Sequence, residues 1–332
     1  MTRPRFLPDN FTLTLVGVVL LASFLPASGQ VAVGFGWLTN IAIALLFFLH
    51  GAKLSRESII AGAGHWRLHL LVFGLTFVLF PILGLALKPL LSPLIGDKLY
   101  MGMLYLCALP ATVQSAIAFT SLARGNIPAA ICSAAASSLF GIFLTPLLVA
   151  LLLNVHGEGG STLDAILKIS VQLLLPFIAG QIARRWIGAW VGRNKNWLKL
   201  VDQGSILLVV YGAFSEAVNE GIWHQIPLVD LLGLVVVCCI LLALVLLAST
   251  LLGKAFGFSQ EDRITILFCG SKKSLATGVP MAQVLFAGST IGVLILPLML
   301  FHQIQLMVCA VLAQRYAKRP ESVPELMAGV DP

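Results

Sequence analysis

Long runs without a charged residue constrain this chain more than any other feature. Residues 10–52 contain no Asp, Glu, Lys or Arg, and four more such runs cover 68–87, 99–123, 125–157 and 274–314. About 20 mostly apolar residues suffice for a helix to cross a bilayer, and inside lipid every backbone polar group must find its partner within the protein. The runs therefore predict an all-α integral membrane protein that lies in a lipid bilayer.

The overall composition excludes several other classes of protein. Hydrophobic residues make up 58% of the 332 residues and charged residues only 11%, whereas roughly a quarter of a soluble domain is charged. Soluble enzymes, nucleic-acid binders and secreted disulfide scaffolds are therefore excluded. The net charge of +7 comes from basic residues scattered between the apolar runs, a pattern typical of membrane orientation and not of a nucleic-acid surface.

Turn residues divide the long runs, and the division predicts ten membrane-spanning helices. A competing interpretation of the first span is a cleavable signal peptide, because Arg3 and Arg5 precede an apolar stretch that ends in Ala27-Ser28-Gly29. The expected limits of the spans are 11–28, 34–52, 67–87, 100–122, 128–153, 163–187, 203–222, 228–253, 263–286 and 289–313.

Basic residues are distributed unequally between alternate ends of these ten spans. With a cytoplasmic N-terminus, sixteen of the 21 Lys and Arg residues fall on the cytoplasmic side, and only Lys88 and Lys98 fall on the other. Three more, Lys168, Lys272 and Lys273, lie within spans. Because cytoplasmic loops carry an excess of Lys and Arg, we expect both termini in the cytoplasm and the protein in the bacterial inner membrane. Removal of the first span as a signal peptide would spoil this distribution.

The ten spans form two sets of five. Residues 1–154 hold helices 1–5, residues 161–317 hold helices 6–10, and residues 318–332 are expected to form a disordered cytoplasmic tail. An odd number of crossings in each set inverts the second set relative to the first. This arrangement predicts two inverted five-helix repeats, which is the plan of many secondary transporters.

Helices 4 and 9, which correspond in the two repeats, carry matching interruptions. Helix 4 contains Leu109-Pro110-Ala111-Thr112-Val113-Gln114-Ser115, and helix 9 contains Cys269-Gly270-Ser271-Lys272-Lys273-Ser274 with Pro280 following. Proline removes a helical hydrogen-bond donor, and both interruptions lie about ten residues, or about 15 Å, from a membrane face. We predict two broken helices that meet around a polar cavity near mid-membrane. The alternative is that Pro110 and Pro280 only kink two packed helices.

Lys272 and Lys273 are the most informative residues within the spans. A lysine at a helix centre costs roughly 2.5–3.5 kcal/mol on insertion scales, so both side chains should face protein or water. An unwound segment could direct both ammonium groups into one cavity. There they could bind an anionic substrate, supply a fixed positive charge where a relative binds a cation, or titrate during transport. The alternative is a misplaced span end, with both lysines reaching the lipid headgroups.

Polar residues near the two interruptions complete the predicted substrate and ion site. Ser133 and Ser137 share a helix face, which more often indicates close helix packing than ion binding. Glu216 and His50 are possible charge partners of the lysines. No metal site is predicted, and no catalytic motif is present, so the chain is not expected to be an enzyme. The predicted site residues are Thr112, Gln114, Ser115, Ser133, Ser137, Ser271, Lys272, Lys273, Ser274, His302 and Gln303.

Several sequence motifs, spread over roughly residues 10–317, resemble motifs of the bile acid:sodium symporter family. Two of them resemble more narrowly its bacterial branch similar to sodium/bile acid cotransporter 7, namely Leu46-Phe47-Phe48-Leu49-His50-Gly51-Ala52-Lys53-Leu54-Ser55 and Cys269-Gly270-Ser271-Lys272-Lys273-Ser274-Leu275-Ala276. The others are Leu122-Ala123-Arg124-Gly125-Asn126, Leu144-Thr145-Pro146-Leu147-Leu148, Gly270–Ala276 and Phe301-His302-Gln303.

The resemblance implies a more detailed fold and function. It implies a panel domain of helices 1, 2, 6 and 7 and a core domain of helices 3–5 and 8–10, in which helices 4 and 9 cross at their breaks. It also implies sodium-coupled uptake of small organic anions by alternating access. No cofactor is expected beyond Na⁺ or H⁺ as the coupling ion.

This chain departs from the family at the positions that correspond to the sodium sites. Phe268 stands where the better-known members have a Glu, and Lys272-Lys273 stand where they have Gln-Asn. The other corresponding positions are Ala130 and Ala134 for their Ser and Thr in helix 5, and approximately Gln114 and Ser115 for their Ser-Asn in helix 4.

A missing carboxylate and two added ammonium groups would oppose sodium by direct charge repulsion. We therefore expect the lysines to occupy the place of one or both cations. The expected function is sodium-independent or proton-linked transport of a small organic anion. An alternative from another class is a non-transporting membrane sensor or regulatory protein with the same fold. The sequence leaves the substrate, the direction of transport and the oligomeric state open.

Overall fold

The computed structural model describes residues 10–53, 64–153, 162–219, 221, 226–286 and 291–319. Throughout these ranges the regular structure is helical and no strand occurs, which confirms the all-α prediction. The helices are α1 (Asn10–Phe24), α2 (Gly29–Lys53), α3 (Trp66–Ala86), α4 (Lys88–Ala108), α5 (Gln114–Leu122), α6 (Ile127–Leu153), α7 (Thr162–Arg193), α8 (Lys195–Asn219), α9 (Leu228–Ala255), α10 (Gln260–Gly270), α11 (Leu275–Leu285) and α12 (Ile291–Ala317).

Six helices in the described ranges are long and apolar enough to cross a membrane, namely α2, α3, α6, α8, α9 and α12. This is the composition of a multi-pass membrane protein. Each of the ten predicted spans overlaps one helix or, for the fourth and ninth spans, a consecutive pair of helices. The number of ten crossings stays a prediction.

Several helices extend beyond their predicted limits. α4 begins at Lys88 instead of residue 100, with Pro89 in its first turn and a kink at Gly96, whose φ of 71° is accessible to glycine. α7 runs to Arg193 and α8 begins at Lys195, where the sequence predicts limits of 187 and 203. Charged residues mark the edge of the apolar layer, but a helix can continue past that edge into water. Uncharged runs therefore underestimate helix length.

Some predictions concern residues outside the described ranges. The first nine residues lie outside, and with them Arg3 and Arg5 of the signal-peptide alternative. The predicted disordered tail lies outside from residue 320 onward, as does the connection 154–161 between the two predicted repeats. Lys168 belongs to α7, but its side chain is outside the description.

α1, α2, α7 and α8 pack against one another. The closest approach joins α2 to α7. A Cβ atom on Gly51 would lie 2.0 Å from the carbonyl oxygen of Phe177, and a Cβ on Gly180 would lie 1.9 Å from that of Phe48. Glycine is therefore required on both helices for this backbone contact.

The other helices surround a buried centre. α4 packs against α3, α6, α9 and α12, while α10 packs against α3, α5, α6 and α9. Lys272 and Lys273 are among the largest fully buried side chains, together with aromatic residues such as Tyr105, Phe80 and Phe268. The fold thus places both lysines in the protein interior.

Candidate substrate and ion site at two broken helices

Both interruptions occur at the predicted residues. α4 ends at Ala108, the chain is non-helical from residue 109 to 113, and α5 begins at Gln114. α10 ends at Gly270, the chain is non-helical from residue 271 to 274, and α11 begins at Leu275. The proline of the first interruption and the glycine of the second are the local causes, because neither favours a continuous helix.

The two breaks are in direct contact. The backbone N–H of Ser274 donates a 3.0 Å hydrogen bond to the carbonyl oxygen of Pro110. The hydroxyl of Tyr105, on α4, donates a 2.5 Å bond to the carbonyl oxygen of Gly278, on α11. Backbone groups freed by the interruption of one helix are thus partly satisfied by the other helix.

Hydroxyls of α6 satisfy further backbone groups at the first break. The N–H of Ala111 donates a 3.0 Å hydrogen bond to Ser137 Oγ. Thr145 Oγ1 donates a 2.9 Å bond to the carbonyl oxygen of Ala108. Ser137 therefore serves helix packing and the break itself. Ser133, on the same helix face, instead lies with its Oγ 2.7 Å from His69 Nδ1.

The ammonium group of Lys273 is enclosed by backbone carbonyls. Its Nζ lies 2.8 Å from the oxygen of Thr76, 2.9 Å from that of Cys107 and 2.7 Å from that of Leu109. These contacts can use all three N–H donors of a lysine. The Phe80 ring covers the group, with its centroid 4.1 Å from Nζ, and the side chain is 0% exposed.

π-Helical geometry in α3 contributes one of these carbonyls. Thr76 belongs to the π-helical turn Leu75–Leu79, which interrupts the regular hydrogen-bonding pattern of α3. Cys107 and Leu109 lie at the C-terminal end of α4, where helical carbonyls have no partner in the next turn. A helix C-terminus carries a partial negative charge, so a cation is favoured at this position.

Lys272 occupies a different environment. Its Nζ donates a 2.9 Å hydrogen bond to the carbonyl oxygen of Ser115 in the first turn of α5. The centroids of the Phe119 and Phe268 rings lie 4.0 Å and 5.4 Å from Nζ, within cation–π range. The side chain is 0% exposed.

The structure therefore corrects one geometric expectation and excludes one alternative. Lys272 and Lys273 do not share a single cavity, because they leave the break towards different carbonyls and different rings. The alternative in which both reach the lipid headgroups is also wrong, because both side chains are fully buried. Phe268, which stands at the position of the missing carboxylate, instead contributes an aromatic ring to the surroundings of Lys272.

Gln305 fixes the backbone of the second break. Its side-chain Oε1 accepts a 2.8 Å hydrogen bond from the N–H of Lys273, and its Nε2 donates a 2.8 Å bond to the carbonyl oxygen of the same residue. His302 Nδ1 lies 2.9 Å from Gln305 Nε2 and 3.3 Å from the Lys273 oxygen. Gln305 is missing from the predicted site residues, although a buried polar residue one turn after His302 was a signal for it.

The remaining predicted residues fall into two groups. Several cap the breaks: Ser274 Oγ accepts from the N–H of Thr277, Thr112 Oγ1 lies 2.8 Å from Ser115 Oγ, and Ser271 Oγ donates 2.5 Å to the Leu267 oxygen. Gln114, exposed at the start of α5, and Gln303, half-buried on α12, border the crossing. His50 and Glu216 lie away from it: His50 Nδ1 is 2.8 Å from the Leu46 oxygen in α2, and Glu216 is near the end of α8.

Helix ends of opposite partial charge meet at the crossing of the two broken helices. α4 and α10 end at the crossing with their negative ends, and α5 and α11 begin there with their positive ends. Both ammonium groups contact carbonyl oxygens and rings, not the carboxylate of Glu216. In the part of the chain that the structure describes, no group of His, Cys, Asp and Glu could hold a metal ion.

Comparison with known proteins gives close matches along nearly the whole chain. The profile of the SBF-like CPA transporter family matches residues 9–318. An uncharacterized protein of Pseudomonas aeruginosa is 70% identical over 328 residues, which cover 99% of this chain and 98% of that protein. The putative symporter YfeH of Escherichia coli is 62% identical over 315 residues, which cover 95% of each chain. Sodium/bile acid cotransporter 7 of Danio rerio is 32% identical over 312 residues, which cover 90% of this chain and 91% of that protein.

Proposed function

Since this chain belongs to the SBF-like CPA transporter family, a family of transporters and not of enzymes, we propose that it is a secondary transporter of a small organic anion in which lysine side chains replace the coupling cations. Transport is then sodium-independent or proton-linked. The names of two relatives, a putative symporter and a sodium/bile acid cotransporter, support transport of a small solute across a membrane.

The observation that carries this proposal is the carbonyl shell around Lys273. Backbone carbonyls and helix C-termini at broken helices are the groups with which secondary transporters coordinate Na⁺ or H⁺. Here three carbonyl oxygens at 2.7–2.9 Å contact an ammonium group that is covalently part of the protein. A sodium ion at the same place would meet a fixed positive charge at very short range.

Groups that would bind an anionic substrate also lie at the crossing. The positive ends of α5 and α11 both start there, and Gln114, His302 and Gln303 offer polar side chains that are exposed or half-buried. Half-helix N-termini are the usual contacts of anionic substrate groups in such folds. Both lysines would favour an anion through their charge. Lys273 would not need to donate hydrogen bonds to it, because its Nζ already contacts three carbonyl oxygens, whereas Lys272 contacts one.

The proposed architecture has ten crossings in two inverted repeats, residues 1–154 and 161–317, with both termini in the cytoplasm of a bacterium. α1, α2, α7 and α8 form the panel, α3–α6 and α9–α12 form the core, and alternating access moves one against the other. Matching helix contacts support the repeat. Exchanging the halves relates the contact of α2 with α7 to that of α8 with α1, and the contact of α4 with α12 to that of α10 with α6.

Chemical rescue tests the replaced cation without knowledge of the substrate. Lys273→Ala should lower the midpoint of thermal denaturation of the purified protein. We expect n-propylammonium, which reproduces the atoms that the substitution removes, or Na⁺ to restore most of the loss. Lys88→Ala is the control, because Lys88 lies at the start of α4 and contacts the Tyr100 ring. A loss that no monovalent cation restores would argue against a cation-binding shell.

Uptake into proteoliposomes tests the transport itself. The probes are radiolabelled taurocholate, chosen from the names of the relatives, and radiolabelled butyrate as a smaller anion. We expect uptake of at least one probe to be equal in sodium and potassium media and to fall in the Lys272→Gln/Lys273→Gln variant. Strictly sodium-dependent uptake that this variant retains would contradict the proposal. A folded protein that moves neither probe would favour the non-transporting alternative.

A further inference from the structure

The connection between α7 and α8 carries exposed aromatic and basic side chains. Asn194 joins the two helices, and we call residues 184–200 the α7–α8 corner. Three tryptophans of this corner, Trp186, Trp190 and Trp197, are 75%, 43% and 55% exposed. The rings of Trp190 and Trp197 contact each other with their centroids 5.8 Å apart. Exposed tryptophans in a membrane protein are enriched where the membrane meets water.

The inner side of the corner is held by the protein itself. Val191 and Leu198 are buried in a small apolar cluster with Leu49 and Ala52 of α2. Arg184 donates a 2.7 Å hydrogen bond to the carbonyl oxygen of Ala52. These contacts fix one side of the corner against α2 and leave the exposed tryptophans and basic residues on its outer side.

Exposed residues along one face of α7 change in character towards the corner. Successive members are three or four residues apart and therefore share a face. They are Leu175, Ile178, Ile182, Trp186, Trp190 and Arg193. The order from apolar through aromatic to basic is the order of acyl chains, interface and headgroups in a lipid leaflet. The stretch from Arg184 to Arg193, about 14 Å long, is sufficient to pass through a headgroup layer of about 5–8 Å.

The charge of the corner selects an acidic partner. Four basic residues on its outer side are exposed, and their side chains make no hydrogen bond or ion pair with any described residue. They are Arg185, Arg193, Lys195 and Lys199. No Asp or Glu occurs from residue 165 to residue 201. The next carboxylate along the chain, that of Asp202, is buried and already paired with Lys53. The outer side therefore carries uncompensated positive charge beside aromatic and apolar side chains.

We propose that the α7–α8 corner is a binding surface for acidic phospholipids. The lipid phosphates contact the four basic side chains, and the acyl chains lie along Trp186 and the apolar part of the same α7 face. Clusters of Lys and Arg next to a membrane helix attract anionic headgroups. The apolar-to-basic order favours a lipid over an acidic soluble protein, which would contact only the basic end. The proposal needs a protein in a membrane but not the proposed substrate, so its failure would leave the proposed transport untouched.

Quenching of tryptophan fluorescence by brominated lipids tests this proposal. The full-length protein is reconstituted into vesicles of equal parts phosphatidylglycerol and phosphatidylcholine, with bromine on the acyl chains of one lipid or of the other. The reporter protein keeps the three tryptophans of the corner and carries Trp37→Phe, Trp66→Phe and Trp223→Phe. We expect the quenching to show a preference of about threefold or more for phosphatidylglycerol, and 0.5 M sodium chloride to reduce that preference through screening.

Neutralising the corner tests the role of its charge. Arg193→Gln/Lys195→Gln/Lys199→Gln in the reporter removes three of the four basic side chains and leaves the tryptophans in place. We expect the preference for phosphatidylglycerol to fall to about one, while brominated phosphatidylcholine still quenches the tryptophans. All three positions are exposed, and thermal denaturation shows whether the variant is folded.

Two controls separate the corner from the rest of the protein. Lys254→Gln/Arg315→Gln/Lys318→Gln removes the same charge from exposed positions at the ends of α9 and α12, and it should leave the preference of the reporter unchanged. A second reporter keeps only Trp37, which is 71% exposed in the uncharged run of α2. The two brominated lipids should quench this tryptophan equally.

Three results would overturn the proposal. One is equal quenching of the folded reporter by both brominated lipids. Another is a preference that the corner variant retains, or that the control variant loses to the same extent, which would assign it to the charge of the whole protein. The third is quenching by neither lipid, which would mean that protein, such as a second copy of this chain, covers the corner.

Discussion

The two breaks occupy corresponding positions in the two halves of the chain, yet their chemistry is complementary and not repeated. The first break and the last turn of α4 supply acceptors, namely the carbonyl oxygens of Cys107, Leu109 and Pro110, and among the described residues only the Tyr105 hydroxyl of α4 donates in the other direction, to the Gly278 oxygen. The second, between α10 and α11, supplies donors, namely the ammonium of Lys273 and the N–H of Ser274. A repeated interruption can therefore close on itself when one copy donates and the other accepts.

The supports of the two breaks differ as well. Hydroxyls of α6 bind the first break through single hydrogen bonds from Ser137 and Thr145. One amide side chain of α12, that of Gln305, binds both the backbone N–H and the backbone carbonyl of Lys273 at the second break. The donor side of the crossing thus depends on fewer residues, and each of them should matter more.

The largest effect is expected from removing the ammonium group that joins the two breaks. Lys273→Met would leave three buried carbonyls without a partner, at about 1–3 kcal/mol each, partly offset by relief from burying a charge. We expect a loss of about 3–5 kcal/mol in the free energy of unfolding. SDS-induced unfolding in mixed micelles, followed by far-ultraviolet circular dichroism, measures it. Lys88→Met, the control, should change the free energy by less than about 1 kcal/mol. Equal stability of the two variants would mean that the acceptors of the first break need no donor.

The contrast between these breaks was only partly predictable from the sequence. Pro110 and Gly270 mark the interruptions, because proline and glycine act locally on the backbone. The partner of Lys273 at Thr76 was not predictable, since it lies 197 residues away and depends on a π-helical turn in α3. Adjacent lysines in a non-helical segment carry no signal for the direction of each side chain, which is why the prediction of one shared cavity was wrong.

Removing the amide support of the donor break is expected to have the second largest effect. Gln305→Leu would leave the N–H and the carbonyl of Lys273 without the partner they have now, for a loss of about 2–3 kcal/mol. The same unfolding assay applies. Gln314→Leu, at an exposed position of the same helix, is the matched control and should be near neutral. If both glutamine variants are equally stable, the second break does not depend on α12.

The sequence predicted the two lysines as site residues but did not predict Gln305, because the two residue types give signals of different strength. A charged residue in an apolar run is a strong signal, because its burial requires partners. A glutamine one turn after a histidine is a weaker signal, since amide side chains also serve ordinary contacts between membrane helices. The residue that positions the peptide of Lys273 could therefore be noticed but not ranked.

A smaller effect is expected from substitution of Lys272. Lys272→Met removes one hydrogen bond, to the Ser115 oxygen, and the contacts with the Phe119 and Phe268 rings. Methionine keeps much of the packing against these rings, so we expect a loss of about 1–2 kcal/mol. A loss as large as that of Lys273→Met in the same assay would show that the number of contacted carbonyls does not determine the contribution of each lysine.

The smallest expected effects compare the serine that supports each break. Ser137→Ala would leave the buried N–H of Ala111 without its partner, for a loss of about 1–2 kcal/mol. Ser274→Ala would remove the N-cap of α11, typically about 1 kcal/mol, but the N–H of Ser274 would still bind the Pro110 oxygen. The acceptor break should therefore be the more sensitive of the two to loss of a hydroxyl, the reverse of the order expected for the charged and amide residues. Unfolding of both variants and of Ser137→Ala/Ser274→Ala measures the difference. An additive double variant would mean that the hydroxyls act separately at two breaks joined mainly by Lys273, whereas strong non-additivity would make the crossing a single cooperative unit.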